Sequence, residues 1–305
     1  KELQKIIKLK DSINPDLIVA VGGGCIMDYA KIACVYKLEK NLKKKLINSD
    51  YLKSKIKLLV IPTTAGSGAE VTSSAVIYIN KIKYSVEGPE LIPDFYSLVP
   101  DFLMSSNLKI DASSGFDAIS QSIESIISKK STDQSIQFAK RGLKIILKNF
   151  DEFLKKKNLL NSYEMSLGAN LSGKAINISK TTAPHAVSYP FTAFYNIPHG
   201  HAVSLTLNKF LKFNFDHIAK SNCNFDLNKR FKILFALTKT KNINELNSFL
   251  KNLKKTAYLE QNFLKLGINI QAASGRIVGG LNDRRLANNP VPVSKKDIKY
   301  ILENF

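Results

Sequence analysis

The chain carries four histidines, and three of them, His185, His199 and His201, fall within seventeen residues. Neutral imidazole is the commonest metal ligand at physiological pH, and in TTAPHAVSYPFTAFYNIPHG His185 and His199 bracket an apolar, aromatic run. No zinc-finger spacing accompanies them, so the histidines alone leave a metal site and ordinary polar positions equally open. Upstream, SSGFDAISQSIESII places Asp117 and Gln121 four residues apart, on one face of a helix. A carboxylate oxygen, an amide oxygen and two imidazoles converging in a cleft would suit a divalent transition metal with an open position for substrate. Taken alone, Asp117 reads more readily as a charge near a helix start.

Such residues need a scaffold that brings distant stretches together. KELQKIIKLKDSIN has helical apolar spacing, Pro15 and Asp16 interrupt it, and Leu17 to Val21 (LIVAV) predicts a short strand buried in a parallel sheet. GGGCIMDYAK follows. Gly22, Gly23 and Gly24 let backbone amides approach a phosphate, and a helix starting near Ile26 aims its positive end at the same place. A second strand, Lys57 to Ile61, enters PTTAGSGAEVTSS, where Thr63, Thr64 and Ser67 occupy the carboxyl end of a strand, the usual ligand position in open α/β sheets. The turn lacks the GxGxxG pattern; two such loops after two strands together favour a dinucleotide. A hairpin around Asn80 and Lys81 and a strand over Tyr96 to Val99 follow. Helical periodicity then takes over. The expected architecture is an N-terminal α/β parallel-sheet dinucleotide-binding domain, residues 1–102, followed by an all-helical metal- and substrate-binding domain, residues 103–305.

Composition fits a globular chain of 305 residues, 44% hydrophobic and 23% charged, long enough for two domains. No apolar run approaches a membrane span, and no secretory signal opens the chain. Cys25, Cys34 and Cys223 are too few and unpatterned for a disulfide framework, which points to a reducing cytoplasm. A net charge of +20 would suit nucleic acid, yet the basic residues are scattered and nearly all lysine, with five arginines (Arg141, Arg230, Arg276, Arg284, Arg285) for phosphate forks. No specific nucleic acid is expected; anionic small molecules are favoured.

GGGCIMDYAK, IPTTAGSGAEVTSSA, SGFDAISQSIES and HAVSYPFTAFYNIPHGHAV resemble, in order and spacing, the motifs of the iron-containing (group III metal-dependent) alcohol dehydrogenases. The resemblance extends to NDRRLANNPVPVSKKDIKYIL at the end of the chain. It implies NAD or NADP bound at Gly22 to Asp28, Cys25 included, and at Thr63 to Ser67, with Fe²⁺ or Zn²⁺ held at Asp117, Gln121, His185 and His199. The chemistry implied is reduction of a small aldehyde, the metal polarising its oxygen and the nicotinamide giving hydride. Tyr189 or His201, water or the ribose would return the proton. A homo-oligomer, a dimer, is expected.

Two departures accompany the resemblance. Gln121 stands where most members have histidine, so the site could shrink to Asp117, His185 and His199; Tyr189 replaces another histidine common there. Relatives also carry earlier β-α units, roughly sixty residues, so the chain is expected to be truncated at its front and silent on NAD against NADP. GKAINISKTTAPHA with PHGHAV is similar to the branch that includes phosphonoacetaldehyde reductases, which make 2-hydroxyethylphosphonate. Lys174, Lys180, Thr181 and Thr182, with Arg284 and Arg285 as rivals, are the candidates to hold a phosphonate dianion. Solvated lysines are the equal alternative for Lys174 and Lys180. A general alcohol or diol dehydrogenase, a dehydroquinate synthase-like reaction and a non-catalytic binding protein are the competing functions.

Overall fold

The structure, a computed structural model, describes residues 2–51, 56–80, 82–281 and 283–304. Helix α1 (Glu2–Ile13) leads into β1 (Leu17–Gly22), α2 (Gly24–Val35), α3 (Leu42–Asn48) and β2 (Lys57–Pro62). The hairpin β3 (Ser74–Ile79) and β4 (Ile82–Glu87) precedes the short strand β5 (Phe95–Tyr96). Strands β1, β2 and β5 form a parallel sheet in that order, while β3 and β4 pair antiparallel. In the hairpin turn Asn80 adopts φ 51°, the left-handed conformation asparagine tolerates; Lys81 lies outside the described residues.

Register decides where the loops that follow the first two strands meet. Leu17 pairs with Lys57 and Gly22 with Pro62, so both strands end level and their loops emerge side by side. The Thr63 amide donates to the Gly22 carbonyl at 3.1 Å, tying the loops together. The apolar core beneath them joins Met27 and Ile32 of α2 to Val60 and Val86.

The sheet departs from sequence expectation on one side. Leu17, Val19 and Val21 are 46%, 52% and 45% exposed, whereas Ala20 is buried. Helix α2 covers one face of β1, and among the described residues no layer covers the other; an apolar run does not reveal how many layers flank it. The final strand pairs over Phe95–Tyr96 rather than Tyr96 to Val99. Its chain leaves the sheet ahead of Pro100, which lacks the amide a further ladder bond would need.

From Asp101 onward the described elements are helical: α4 (Asp101–Met104), α5 (Leu108–Ile127), α6 (Asp133–Lys155), α7 (Leu159–Ser179), α8 (Ala183–Tyr195), α9 (His199–Asp216), α10 (Leu227–Thr238), α11 (Ile243–Thr256), α12 (Ile270–Gly279), α13 (Asp283–Leu286) and α14 (Lys295–Asn304). Asn107 caps α5, its side chain accepting from the Ile110 amide at 3.0 Å. Helix α5 then runs through the interior, with Phe116, Ile119 and Ile123 in a core shared with Leu143 and Phe150 of α6. Its polar side chains at 117, 121 and 124 are buried as well, and buried polar groups need partners.

Candidate active site

Three helices deliver the metal-capable groups. Asp117 sits mid-helix in α5, His185 in the first turn of α8, and His199 opens α9; one ligand atom from each lies within 4.8 Å of the others. Two local features create the convergence. Gly200 packs against α5 so closely that a Cβ there would fall 1.9 Å from the Ser113 carbonyl oxygen and 2.8 Å from Asp117 Cβ. Helix α8 is anchored by Glu124, whose Oε1 accepts from the Thr182 amide at 2.9 Å and the Thr182 hydroxyl at 2.8 Å.

The other Glu124 oxygen, Oε2, accepts from His185 Nδ1. Nε2 of the same ring then faces Asp117 Oδ1 at 3.2 Å, so one carboxylate orients the imidazole and leaves its second nitrogen for the cluster. Burial alone would lower the His185 pKa, but Glu124 and Asp117 outweigh it and lift it to about 9. Asp117 is lowered: burial works against the charge and is overcome by the His185 hydrogen bond and the nearby His199. Burial, with Lys83 close by, pushes His199 down to about 3, which keeps it neutral. Its Nδ1 lies 3.5 Å from the Ser188 hydroxyl, and Tyr189 stacks on its ring at 5.9 Å between centroids.

Gln121 is held on three sides. Its amide nitrogen donates to Asp117 Oδ2 at 3.2 Å and to the Ser67 carbonyl at 3.4 Å, and its oxygen accepts from Ser172 at 2.9 Å.

A cavity of about 630 Å³ joins this cluster to the two loops of the sheet. Of the residues expected at the dinucleotide, Gly24, Cys25, Asp28, Thr64 and Ser67 line it. Gly22, Gly23 and Thr63 lie behind them and shape the turn. A Cβ at Gly24 would fall 2.7 Å from Ser67 Oγ, which shows how tightly the loops approach. Asp28 faces the cavity with both oxygens engaged, Oδ2 accepting from the Val76 amide at 2.9 Å and Oδ1 3.8 Å from the Lys31 ammonium.

The anion candidates separate. Lys180 and Thr181 line the cavity together with Arg285. Lys174 is directed elsewhere: its ammonium donates to the Tyr96 hydroxyl at 3.3 Å. Thr182 is committed to Glu124, and the Arg284 side chain lies outside those described. His201 is turned out of the cavity, its Nε2 on the Glu260 carbonyl at 2.8 Å. Two residues escaped the sequence reading. Glu124 lies seven positions after Asp117, hence on the same helix face. Lys83 of β4 places its ammonium 3.5 Å from the Tyr189 ring centre inside the cavity, where burial, followed by Arg285, pushes its pKa down to about 7.

A parallel sheet whose loops open onto a cavity shared with a buried carboxylate–diimidazole cluster is an α/β arrangement able to hold a ligand beside a divalent metal ion. Residues 1–100 match the model for iron-containing alcohol dehydrogenase, and residues 111–305 match that for the Fe-containing alcohol dehydrogenase family, C-terminal. The chain belongs to the iron-containing alcohol dehydrogenase family and is an oxidoreductase acting on CH–OH donors.

It is 27% identical over 304 residues to 4-hydroxybutyrate dehydrogenase of Clostridium kluyveri, spanning 97% of this chain and 80% of that protein. With phosphonoacetaldehyde reductase of Streptomyces viridochromogenes the identity is 29% over 215 residues, 67% of this chain and 54% of that protein. The solved structure of sulfoacetaldehyde reductase from Bifidobacterium kashiwanohense in complex with NAD+ has the same fold, with TM-score 0.88 at 23% identity over 100% of this chain and 81% of that one. Among the described residues no helix is long and apolar enough to cross a membrane.

Proposed function

We propose that the protein reduces a small aldehyde carrying a terminal anion to its alcohol, with NADH or NADPH as reductant and Fe²⁺ or Zn²⁺ in the cluster. Phosphonoacetaldehyde, giving 2-hydroxyethylphosphonate, is the proposed substrate. The observation that carries this reading is a cavity lined by a carboxylate–diimidazole cluster and by the basic side chains Lys83, Lys180 and Arg285. The dinucleotide is assigned to the sheet half, up to residue 102, and the metal and substrate to the helical half.

The donor set suits the metal. Two imidazoles and one carboxylate hold Fe²⁺ or Zn²⁺ and leave positions open. The bound ion would supply Lewis acidity toward the carbonyl oxygen, and the nicotinamide would supply the hydride. The remaining work belongs to the chain. Glu124 holds the His185 ring so that Nε2 faces the cluster. Gly24, Thr64 and Ser67 bring the dinucleotide beside it, fixing the two reactants in one cleft. Lys180 and Arg285 hold the anionic end of the substrate by charge-assisted hydrogen bonds, Arg285 beside its ion pair with Glu87 at 3.5 Å. Tyr189, stacked on His199 under the Lys83 ammonium, is positioned to pass a proton to the product alkoxide.

Three aldehydes of graded charge test this: phosphonoacetaldehyde, the aldehyde corresponding to 4-hydroxybutyrate, and butanal. The proposal expects kcat/KM at least about a hundredfold higher for phosphonoacetaldehyde than for butanal, equivalent to about 2.7 kcal/mol of transition-state binding. Equal values would make this a general alcohol dehydrogenase, and a preference for the carboxylate would move the substrate within the anionic class.

A further inference from the structure

We infer that Gln121 is a hydrogen-bonded bridge coupling the metal site to the dinucleotide loop, and that it is not a metal ligand. The inference rests on the assignment of the cluster and of the Thr63 to Ser67 loop made above.

The partners of Gln121 fix the orientation of its amide. Asp117 Oδ2 and the Ser67 carbonyl only accept, and each receives a bond from Nε2 at 3.2 Å and 3.4 Å. An amide nitrogen has two hydrogens, one for each. The reverse orientation would set the amide oxygen against a carboxylate and a carbonyl, and would cost the bond at 2.9 Å that Ser172 donates to Oε1. Ser172 is itself fixed, its hydroxyl also 2.8 Å from the Ala169 carbonyl. Gln121, Ser172 and Asp117 are all buried, so leaving any of these groups without its partner is costly.

Seated in this way, Gln121 presents nitrogen, a group with no lone pair to give, toward Asp117, and turns its oxygen to α7. The metal site then consists of Asp117, His185 and His199. The same amide reaches from the carboxylate that would bind metal to the backbone of the loop that would bind dinucleotide. Ser67 is also the residue whose hydroxyl approaches Gly24 across the turn. A displacement of Asp117 by metal is therefore passed to the loop through one side chain, and a displacement of the loop is passed back. Coupling of this kind is reciprocal.

The test uses the full protein with Co²⁺, whose absorption spectrum reports its ligands, and NADH or NADPH, whose fluorescence reports binding. Gln121→Met keeps the bulk and removes both donors. In the wild type, Co²⁺ is expected to tighten dinucleotide binding about fivefold or more, and in Gln121→Met by less than about twofold, with the cobalt spectrum unchanged. A changed spectrum would make Gln121 a ligand and overturn the inference, as would coupling that survives the substitution or is absent from the wild type. Should Gln121→Met not fold, Ser172→Ala releases the amide oxygen instead; it should weaken the coupling without moving the spectrum, and unchanged coupling overturns the bridge. Wild-type protein that binds no Co²⁺ would instead overturn the metal assignment of Asp117, His185 and His199.

Discussion

Glu124 grips the Nδ1 edge of His185 while the same carboxylate caps the first turn of the helix that carries it. Tautomer, ring orientation and helix position are thus set by one buried side chain. Glu124→Gln keeps the shape and removes the charge. Its metal dissociation constant is expected to rise about 10- to 100-fold, measured by anaerobic titration with Fe²⁺ or with Zn²⁺; an unchanged constant would assign Glu124 to helix capping alone.

Gly200 is where α9 meets α5. A methyl group there has no space beside the Ser113 carbonyl, which the added Cβ would approach to 1.9 Å. Gly200→Ala should cost about 1–3 kcal/mol and move His199 away from Asp117. Thermal unfolding and metal titration together check this, and a variant with unaltered stability and metal affinity would refute the packing account.

Lys180 pairs charge with strain. It caps α7 at φ 59° and ψ 170°, a region nearly exclusive to glycine. Asn288 holds the turn, donating to the carbonyls of Ser179 and Thr181 at 2.8 Å and 3.0 Å. Lys180→Gly should therefore stabilise the fold by about 1 kcal/mol while raising KM for phosphonoacetaldehyde more than for butanal. Lys174→Ala, whose side chain faces Tyr96, should leave that ratio unchanged. Steady-state kinetics of both variants beside a denaturant melt decide the matter; equal effects of Lys180→Gly on both aldehydes would end the anion role.

Lys254 is buried between α9 and α11 with no carboxylate partner within ion-pair distance among the described residues, donating to the Ser204 carbonyl at 3.1 Å and to Asn208 Oδ1 at 2.8 Å. Burial, then Lys209 and Lys251, lower its pKa from 10.5 to about 7. The unfolded chain takes up this proton near the ordinary value and the folded chain only near 7, so the unfolded state binds more protons throughout that window. Stability from this residue is full above the window and is lost as pH falls through it. Relative to Lys254→Met, the wild type should gain stability between pH 7 and about 10, read from paired denaturant melts. Parallel curves would contradict the assignment.

The sequence disclosed local features more readily than shared surroundings. The glycine turn, the hairpin and the Asp117–Gln121 spacing are short-range patterns, and each lies where spacing puts it. The same holds at the start of α14, where Ser294 and Asp297, three residues apart, have the spacing of a helix cap and the Asp297 amide donates to Ser294 Oγ at 3.1 Å. Between the two readings open for Lys174, spacing could not choose: six residues along a helix is about 1.7 turns, which directs it to Tyr96 and away from the side of α7 on which Lys180 meets the cavity. Lys83 carried no signal in a lysine-rich chain; only the fold of the hairpin over α8 brings it to Tyr189. Glu124 shared a face with Asp117, but spacing cannot say which buried carboxylate joins the cluster at His185 Nε2 and which holds the Nδ1 edge of the same ring. The bare face of β1 was hidden because LIVAV has no alternation to distinguish one covered face from two.

The Asp117, His185 and His199 cluster is proposed as the metal centre of a dinucleotide-dependent reductase. Metal-free full-length protein, titrated anaerobically with Fe²⁺ or with Zn²⁺ while NADH and NADPH oxidation is followed with phosphonoacetaldehyde, tests it most directly. The rate should rise from background in proportion to metal and level off at one equivalent per chain, and His199→Ala should abolish the rise. A full rate without metal, or an undiminished rise in His199→Ala, would contradict it.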